Sequence, residues 1–197
     1  MFLLACACLV ASSLALELEG LDPATLAALS AEGPLVATSL DAEGRPGTST
    51  AVTVIDAPRE LVWAILADFE SYPGWMPQVV ASEVATQAAQ ESTVAFRLGF
   101  DFFVTIKVDY TLRYRRVAPW RMEFVQLQGD MARNEGFWEL HPHGDGCILY
   151  YGSYADYRSL RLLRGVLEAQ PALELGMGSS SAAVVAQAVK ERAEGGQ

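Results

Sequence analysis

The sequence predicts an α+β domain: a curved antiparallel sheet, apolar on one face, wrapped around a long C-terminal helix. Three observations carry this. From Val94 to Arg116 apolar and charged side chains alternate residue by residue, residues 58–69 and about 172–193 are spaced as helices instead, and clusters of Gly, Pro and Asp punctuate short strands between them. The 197 residues are 51% hydrophobic and only 19% charged, too apolar for a disordered chain and enough for one filled core. With 24 acidic against 14 basic residues the formal charge is -10, which repels phosphate backbones and anionic surfaces, so nucleic acid is excluded as a partner.

Residues 1–15 are uncharged and apolar and end in Ser13-Leu14-Ala15, small residues of the kind a signal peptidase reads, which predicts a signal peptide and an exported, periplasmic or secreted product. Leu3-Leu4-Ala5-Cys6 resembles a lipobox, so anchoring through a lipidated Cys6 is the alternative. Cys6 and Cys8 lie in this leader and Cys147 stands alone, so cysteine builds neither a disulfide framework nor a four-ligand zinc site.

Residues 16–47 read as an N-terminal extension, with a short helix started by Asp22-Pro23 and ended near Gly33-Pro34, then a loop or hairpin turn over 41–48. Alternating Thr and Val make 48–55 a strand. Asp56 can cap the next helix, Pro58 sits in its first turn, and Leu61, Val62, Ile65, Leu66 and Phe69 form its expected buried stripe, with a stop at Tyr72-Pro73-Gly74.

In the alternating stretch the even positions, Val94 through Phe96, Val108 and Tyr114, are apolar, while Arg97, Lys107, Asp109, Arg113 and Arg115 hold odd ones. A sheet covered on one face requires this. A turn near Gly99 to Phe102 divides the stretch into two strands; further strands follow from Pro119, over 134–141 and from Cys147 to Asp156, the last pair joined by a turn at Pro142-His143-Gly144-Asp145-Gly146. Helical spacing returns from Arg158 to Ala169 and breaks at Pro171. The final helix has Leu173, Met177, Ser181, Val184 and Ala188 as its expected inner stripe, amid Gly176, Gly178, Ser179 and Ser180. Glycine costs a helix interior about 0.5–1 kcal/mol relative to alanine, so either the backbone packs tightly on the sheet or it leaves space beneath itself.

Ile55-Asp56-Ala57-Pro58, Val62-Trp63, Leu66, Asp68-Phe69 and Tyr72-Pro73-Gly74-Trp75-Met76-Pro77 resemble the first-helix signature of the START/SRPBCC superfamily of lipid-binding proteins, polyketide cyclases and coenzyme Q-binding proteins. The resemblance covers 48–193 and implies a helix-grip fold, with 48–197 as the START-like domain. It gives the fold with better warrant than the function.

A sheet gripping a helix encloses a hollow lined by the apolar sheet face and the helix's inner stripe. Trp75 and Met76 are expected at its mouth; Phe96, Leu98, Phe100, Ile106, Val108, Tyr110, Met122, Phe124, Trp138, Leu140, Leu149 and Tyr151 inside; and Leu173, Met177, Ser181 and Val184 on the helix above. For each, ordinary core packing is the competing reading. A buried ligand hydroxyl needs a partner, for which Tyr110, Tyr151, Ser153 and Ser181 are candidates.

Enzymatic motifs fail. Gly176-Met177-Gly178-Ser179-Ser180-Ser181 lacks the closing glycine of a nucleophile elbow and sits on a helix, and it lacks the third glycine of a dinucleotide loop. His141 and His143 with Glu139 and Asp145 are splayed by the prolyl turn, so no metal or cofactor is expected. Arg113, Arg115, Arg116 and Arg121 form a basic strip expected to pair across strands with Glu123. The expectation is therefore a monomeric, non-enzymatic carrier of a hydrophobic lipid (sterol, hopanoid, quinone or acyl lipid), with transient membrane contact. A polyketide cyclase-like enzyme and a quinone-binding accessory protein are the alternatives.

Overall fold

The computed structural model describes residues 21–101 and 105–195. The leader, with Cys6 and Cys8, lies outside the described residues, as does Phe102 of the expected turn. Helix α1, Pro23–Leu29, starts where Asp22 accepts the N–H groups of Ala24 and Thr25 at 3.0 Å. It covers the outer face of the sheet, where Leu26 packs on Val52 and Ile148. Strands β1, Leu35–Leu40, and β2, Pro46–Ile55, form a hairpin held at its turn by Asp41, which accepts from the Arg45 N–H at 2.8 Å. The expected turn is there, but β1 is a strand that the sequence pattern does not announce. Its sequence, LVATSL, lies half-buried at a sheet edge and carries no alternation.

Helix α2, Arg59–Ala67, buries Val62 and Leu66, and a 3-10 turn, Phe69–Gly74, continues it with Phe69 and Tyr72 buried. Two expectations need correction. The N-cap is Pro58, while the Asp56 N–H donates to Glu194 at 2.8 Å and so ties the start of α2 to the last turn of the final helix. Leu61 is 41% exposed, because the buried arc is centred one residue later, with Trp63 and Ile65 at its margins.

Strands β3, Val79–Gln87, β4, Glu91–Asp101, β5, Thr105–Ala118, β6, Arg121–Gly129, β7, Asn134–His143, and β8, Gly146–Ala155, follow as an antiparallel meander. The sheet order is β1-β2-β8-β7-β6-β5-β4-β3. Strand β3 is likewise silent in the sequence; as the far edge strand it buries little beyond Val79. The alternation of β4 and β5 has the expected phase: Val94, Phe96, Val108, Leu112 and Tyr114 are buried, and Arg97, Lys107, Asp109, Arg113 and Arg115 face water. Arg115 reaches Glu123 across strands at 3.7 Å, as the basic strip predicted.

After β8 come a 3-10 turn, Tyr157–Ser159, a short helix α3, Arg164–Ala169, and the long helix α4, Pro171–Glu194. Helix α4 lies over β1, β2 and β8 and reaches α2. Its inner stripe is shifted from the expected one. Glu174, Ala182, Ala186, Val189 and Ala193 are buried, whereas Leu173 is 42% and Val184 48% exposed. The small residues decide this. A Cβ added at Gly178 would lie 3.0 Å from Ser49 Oγ, and Ser179 and Ser49 each hydrogen-bond the Thr38 hydroxyl, at 2.9 and 2.8 Å. Tight packing therefore explains Gly178; Gly176 has nothing near it.

Candidate functional site

The side chains that β4 to β8 turn toward α2 and α4 are apolar, aromatic or hydroxyl-bearing, and register brings their rings together. Phe96 pairs with Tyr110, Tyr114 with Phe124 and Trp138 with Tyr151, at centroid separations of 5.7, 5.5 and 4.1 Å. Rings also meet between layers: Phe69 lies 4.4 Å from Tyr114, and Tyr72 5.9 Å from Phe96. Phe124 crosses β7 to stack 6.4 Å from Tyr151, and only glycine permits that crossing, since a Cβ at Gly136 would come 2.6 Å from the Phe124 ring.

The expected lining residues divide by depth. Phe96, Val108, Met122, Phe124, Trp138, Leu140, Leu149 and Tyr151 are buried; Leu98, Phe100, Ile106, Tyr110, Ser153, Met177 and Ser181 are half-buried. Met76, expected at a mouth, is buried in the main core, while Trp75 is half-buried beside Tyr72, its indole N–H donating to Ser71 at 3.1 Å. Leu173 and Val184 do not face the sheet. Phe100 and Ile106, which pair across β4 and β5, lie beyond the main core cluster, as do buried Val108 and Leu167.

Between these two apolar regions stand hydroxyls. Tyr151 is hydrogen-bonded to Ser153, and Tyr157, which sequence reasoning missed, to Ser181 of α4. Tyr157 sits in a three-residue turn with no periodicity to betray it; the Asp156 carboxylate, accepting the Ser159 N–H at 3.3 Å, is its only local signal. Burial pushes the Tyr151 phenol up to about 12 and those of Tyr110 and Tyr157 above their ordinary value, so at neutral pH these groups are uncharged donors rather than bases. Tyr72 is engaged structurally, donating to the Leu66 carbonyl at 2.7 Å. The Trp138 Nε1 is buried without an acceptor.

At the same end of α4 the buried Glu174 accepts from Arg158 at 2.7 Å. An enclosed space of about 10 Å³ adjoins Ser153, Tyr157, Glu174 and Gly178, enough for about one water. A larger cleft, about 680 Å³, is open to solvent on β3 to β6, where Arg97 clasps Asp109 at 2.7 and 2.9 Å and holds its carboxyl below the usual range. Neither is the expected sterol-sized hollow between sheet and helix: where that hollow was predicted, rings meet rings.

The histidine turn is a solvated tip. His141 hydrogen-bonds Glu139 at 3.0 Å, and this bond, with the Arg121 ion pair, holds the Glu139 carboxyl below its ordinary value. Among the described residues no three His, Cys, Asp or Glu side chains come together as a metal site.

A sheet gripping a C-terminal helix over an aromatic interior defines the helix-grip class. The chain belongs to the polyketide cyclase / dehydrase and lipid transport family, whose model matches residues 55–192. Among solved structures it is similar to the protein TTHA0849 from Thermus thermophilus, with 19% identity and a TM-score of 0.61 over 77% of this chain and 99% of that one. It is also similar to a STAR-related lipid transfer protein from Xanthomonas axonopodis, with 16% identity and a TM-score of 0.59 over 82% and 99% of the two chains. The Zhui aromatase/cyclase from Streptomyces shares 15% identity and a TM-score of 0.51 over 76% and 98%. These likenesses establish the fold. No curated protein sequence matches the chain.

Proposed function

We propose that the chain binds a hydrophobic lipid between the inner face of β4 to β8 and the N-terminal half of α4, and carries it without transforming it. The observation that carries this is the interior itself: its sheet wall is apolar and aromatic, and its polar groups are hydroxyls held neutral, with one indole N–H lacking an acceptor. Such walls favour burial of apolar surface, at about 25 cal/mol per Å², and offer a single oxygen of the cargo a donor. The rings meet in the ligand-free chain, so entry requires α4 to part from β8, breaking the Tyr157–Ser181 hydrogen bond.

The test is native mass spectrometry of freshly purified protein, with quenching of its tryptophans by sterol, quinone and acyl lipids. Co-purified lipid and saturable quenching are expected. Ser181→Trp, which adds bulk and removes the partner of Tyr157, is expected to weaken binding about ten-fold, or 1.4 kcal/mol, with the fold intact. Unchanged affinity, or no lipid above background, overturns the reading.

A second reading, a cyclase acting on a polyketide, is favoured by the buried Arg158–Glu174 pair beside the tyrosine hydroxyls, and by the activity in the name of the similar Zhui protein. Conversion of a linear polyketide by the purified chain would establish it. Export follows from the reading of residues 1–15, and N-terminal sequencing of the cell-derived protein tests it: a start at Leu16 supports cleavage, a start at Met1 refutes it.

A further inference from the structure

We propose that the elbow joining β8 to α4, residues 157–173, is a docking surface for a bilayer bearing anionic headgroups. The proposal is independent of what the interior carries. From Tyr157 to Leu167 the sequence holds three arginines, Arg158, Arg161 and Arg164, and no acidic residue, in a chain whose formal charge is -10. The segment is also apolar in the wrong direction for a water-facing surface. Leu167 is 1% exposed and anchors α3 to the body of the protein, but Leu162 is 70% exposed and Val166, one helical turn on, 50%. Across Pro171, Leu173 in the first turn of α4 is 42% exposed. No other large apolar side chain among those described is as exposed as Leu162.

The charges sit beside this apolar crest. Arg158 is engaged by Glu174 at 2.7 Å, leaving Arg161 and Arg164 on the exposed side; Glu168 is the acid next to them in sequence. Outward leucine and valine flanked by guanidinium groups match the boundary of an anionic membrane, with methyls among the acyl chains and arginines at the phosphates. The overall negative charge does not forbid this. At ~0.1 M ionic strength screening acts over about 10 Å, so a surface meeting the elbow senses Arg161 and Arg164 more than distant carboxylates. Docking here would bring a membrane up against the segment that carries Tyr157, the partner of Ser181.

Flotation of the full chain with vesicles tests this. Vesicles of phosphatidylcholine alone are compared with equal parts phosphatidylcholine and phosphatidylglycerol, for the wild type, Leu162→Asp and the double variant Arg161→Glu/Arg164→Glu. All three side chains are exposed, so circular dichroism and thermal midpoints should be unchanged. The expected result is partition onto the mixed vesicles only, weakened by added salt and reduced at least about ten-fold in each variant, given about five-fold per surface arginine. No partition by the wild type, or undiminished partition by the variants, overturns the proposal. A concentration-dependent dimer in sedimentation that Leu162→Asp dissolves also overturns it, assigning the face to a contact between copies. None of these failures affects lipid extraction from the interior, so the two readings fall separately.

Discussion

Trp138 is 3% exposed on the inner face of β7, its ring 4.1 Å from Tyr151, and its indole N–H meets no acceptor. A buried donor without a partner costs about 1–3 kcal/mol, so the folded chain carries a penalty that an oxygen-bearing ligand would relieve. Trp138→Phe keeps a ring there and deletes the donor. Its expected effect has opposite signs in two measurements: the urea midpoint holds or rises, while affinity for a hydroxyl- or carbonyl-bearing lipid falls about five-fold or more. A lowered midpoint with unchanged affinity would make Trp138 a packing residue only. The sequence marks Trp138 as an inward position, since it alternates with Glu139 and Phe137, but whether its N–H finds a partner depends on residues of other strands.

At the scale of elements, β4, β5 and the core of α2 are legible because their periodicity is long and unbroken. Strands β1 and β3 are not: an edge strand buries part of one face, so nothing compels its side chains to alternate. Helix α4 is legible as a helix, but its inward side is rotated from the expected one. Leu173 and Val184 look like inward positions because they are large, yet the sheet accepts the narrow Gly178, Ala182 and Ala186 side, where the backbones can approach. The rotation makes an asymmetric prediction. Ala186→Leu, at 0% exposure, is expected to lower stability by about 1–3 kcal/mol through overpacking. Val184→Asp, at 48% exposure, should change it by less than about 0.5 kcal/mol. Chemical denaturation of the two variants checks this, and the reverse order would restore the stripe drawn from size alone.

The whole molecule carries its aromatic interior into its pH dependence. Six of the seven tyrosines have phenols raised by burial, and burial pushes the Cys147 thiol from 9.0 up to about 11. Groups that hold their protons more tightly when folded contribute stability that is intact below their unfolded values and is lost as pH rises through the folded ones. Stability is thus expected to decline from about pH 9 upward, where the unfolded thiol, then the phenols, ionise first. Phenolate absorbance in the near ultraviolet should lag and then appear together with unfolding, measured by circular dichroism on the same samples. A smooth phenolate titration near pH 10 with the fold intact would show that the rings are not sealed in.

What the amino-acid order determined alone was the class: an antiparallel sheet with one greasy side, a helix before it and a long helix after it, with the signature of the family. These are local properties, since a period of two or of 3.6 residues commits a segment's faces wherever its partners lie. Which side of α4 meets the sheet, and whether the rings leave room or close on one another, was decided only by tertiary structure. Both depend on the distance between layers, and that distance is set by contacts such as Gly178 on Ser49 and Phe124 over Gly136, between residues far apart in the chain.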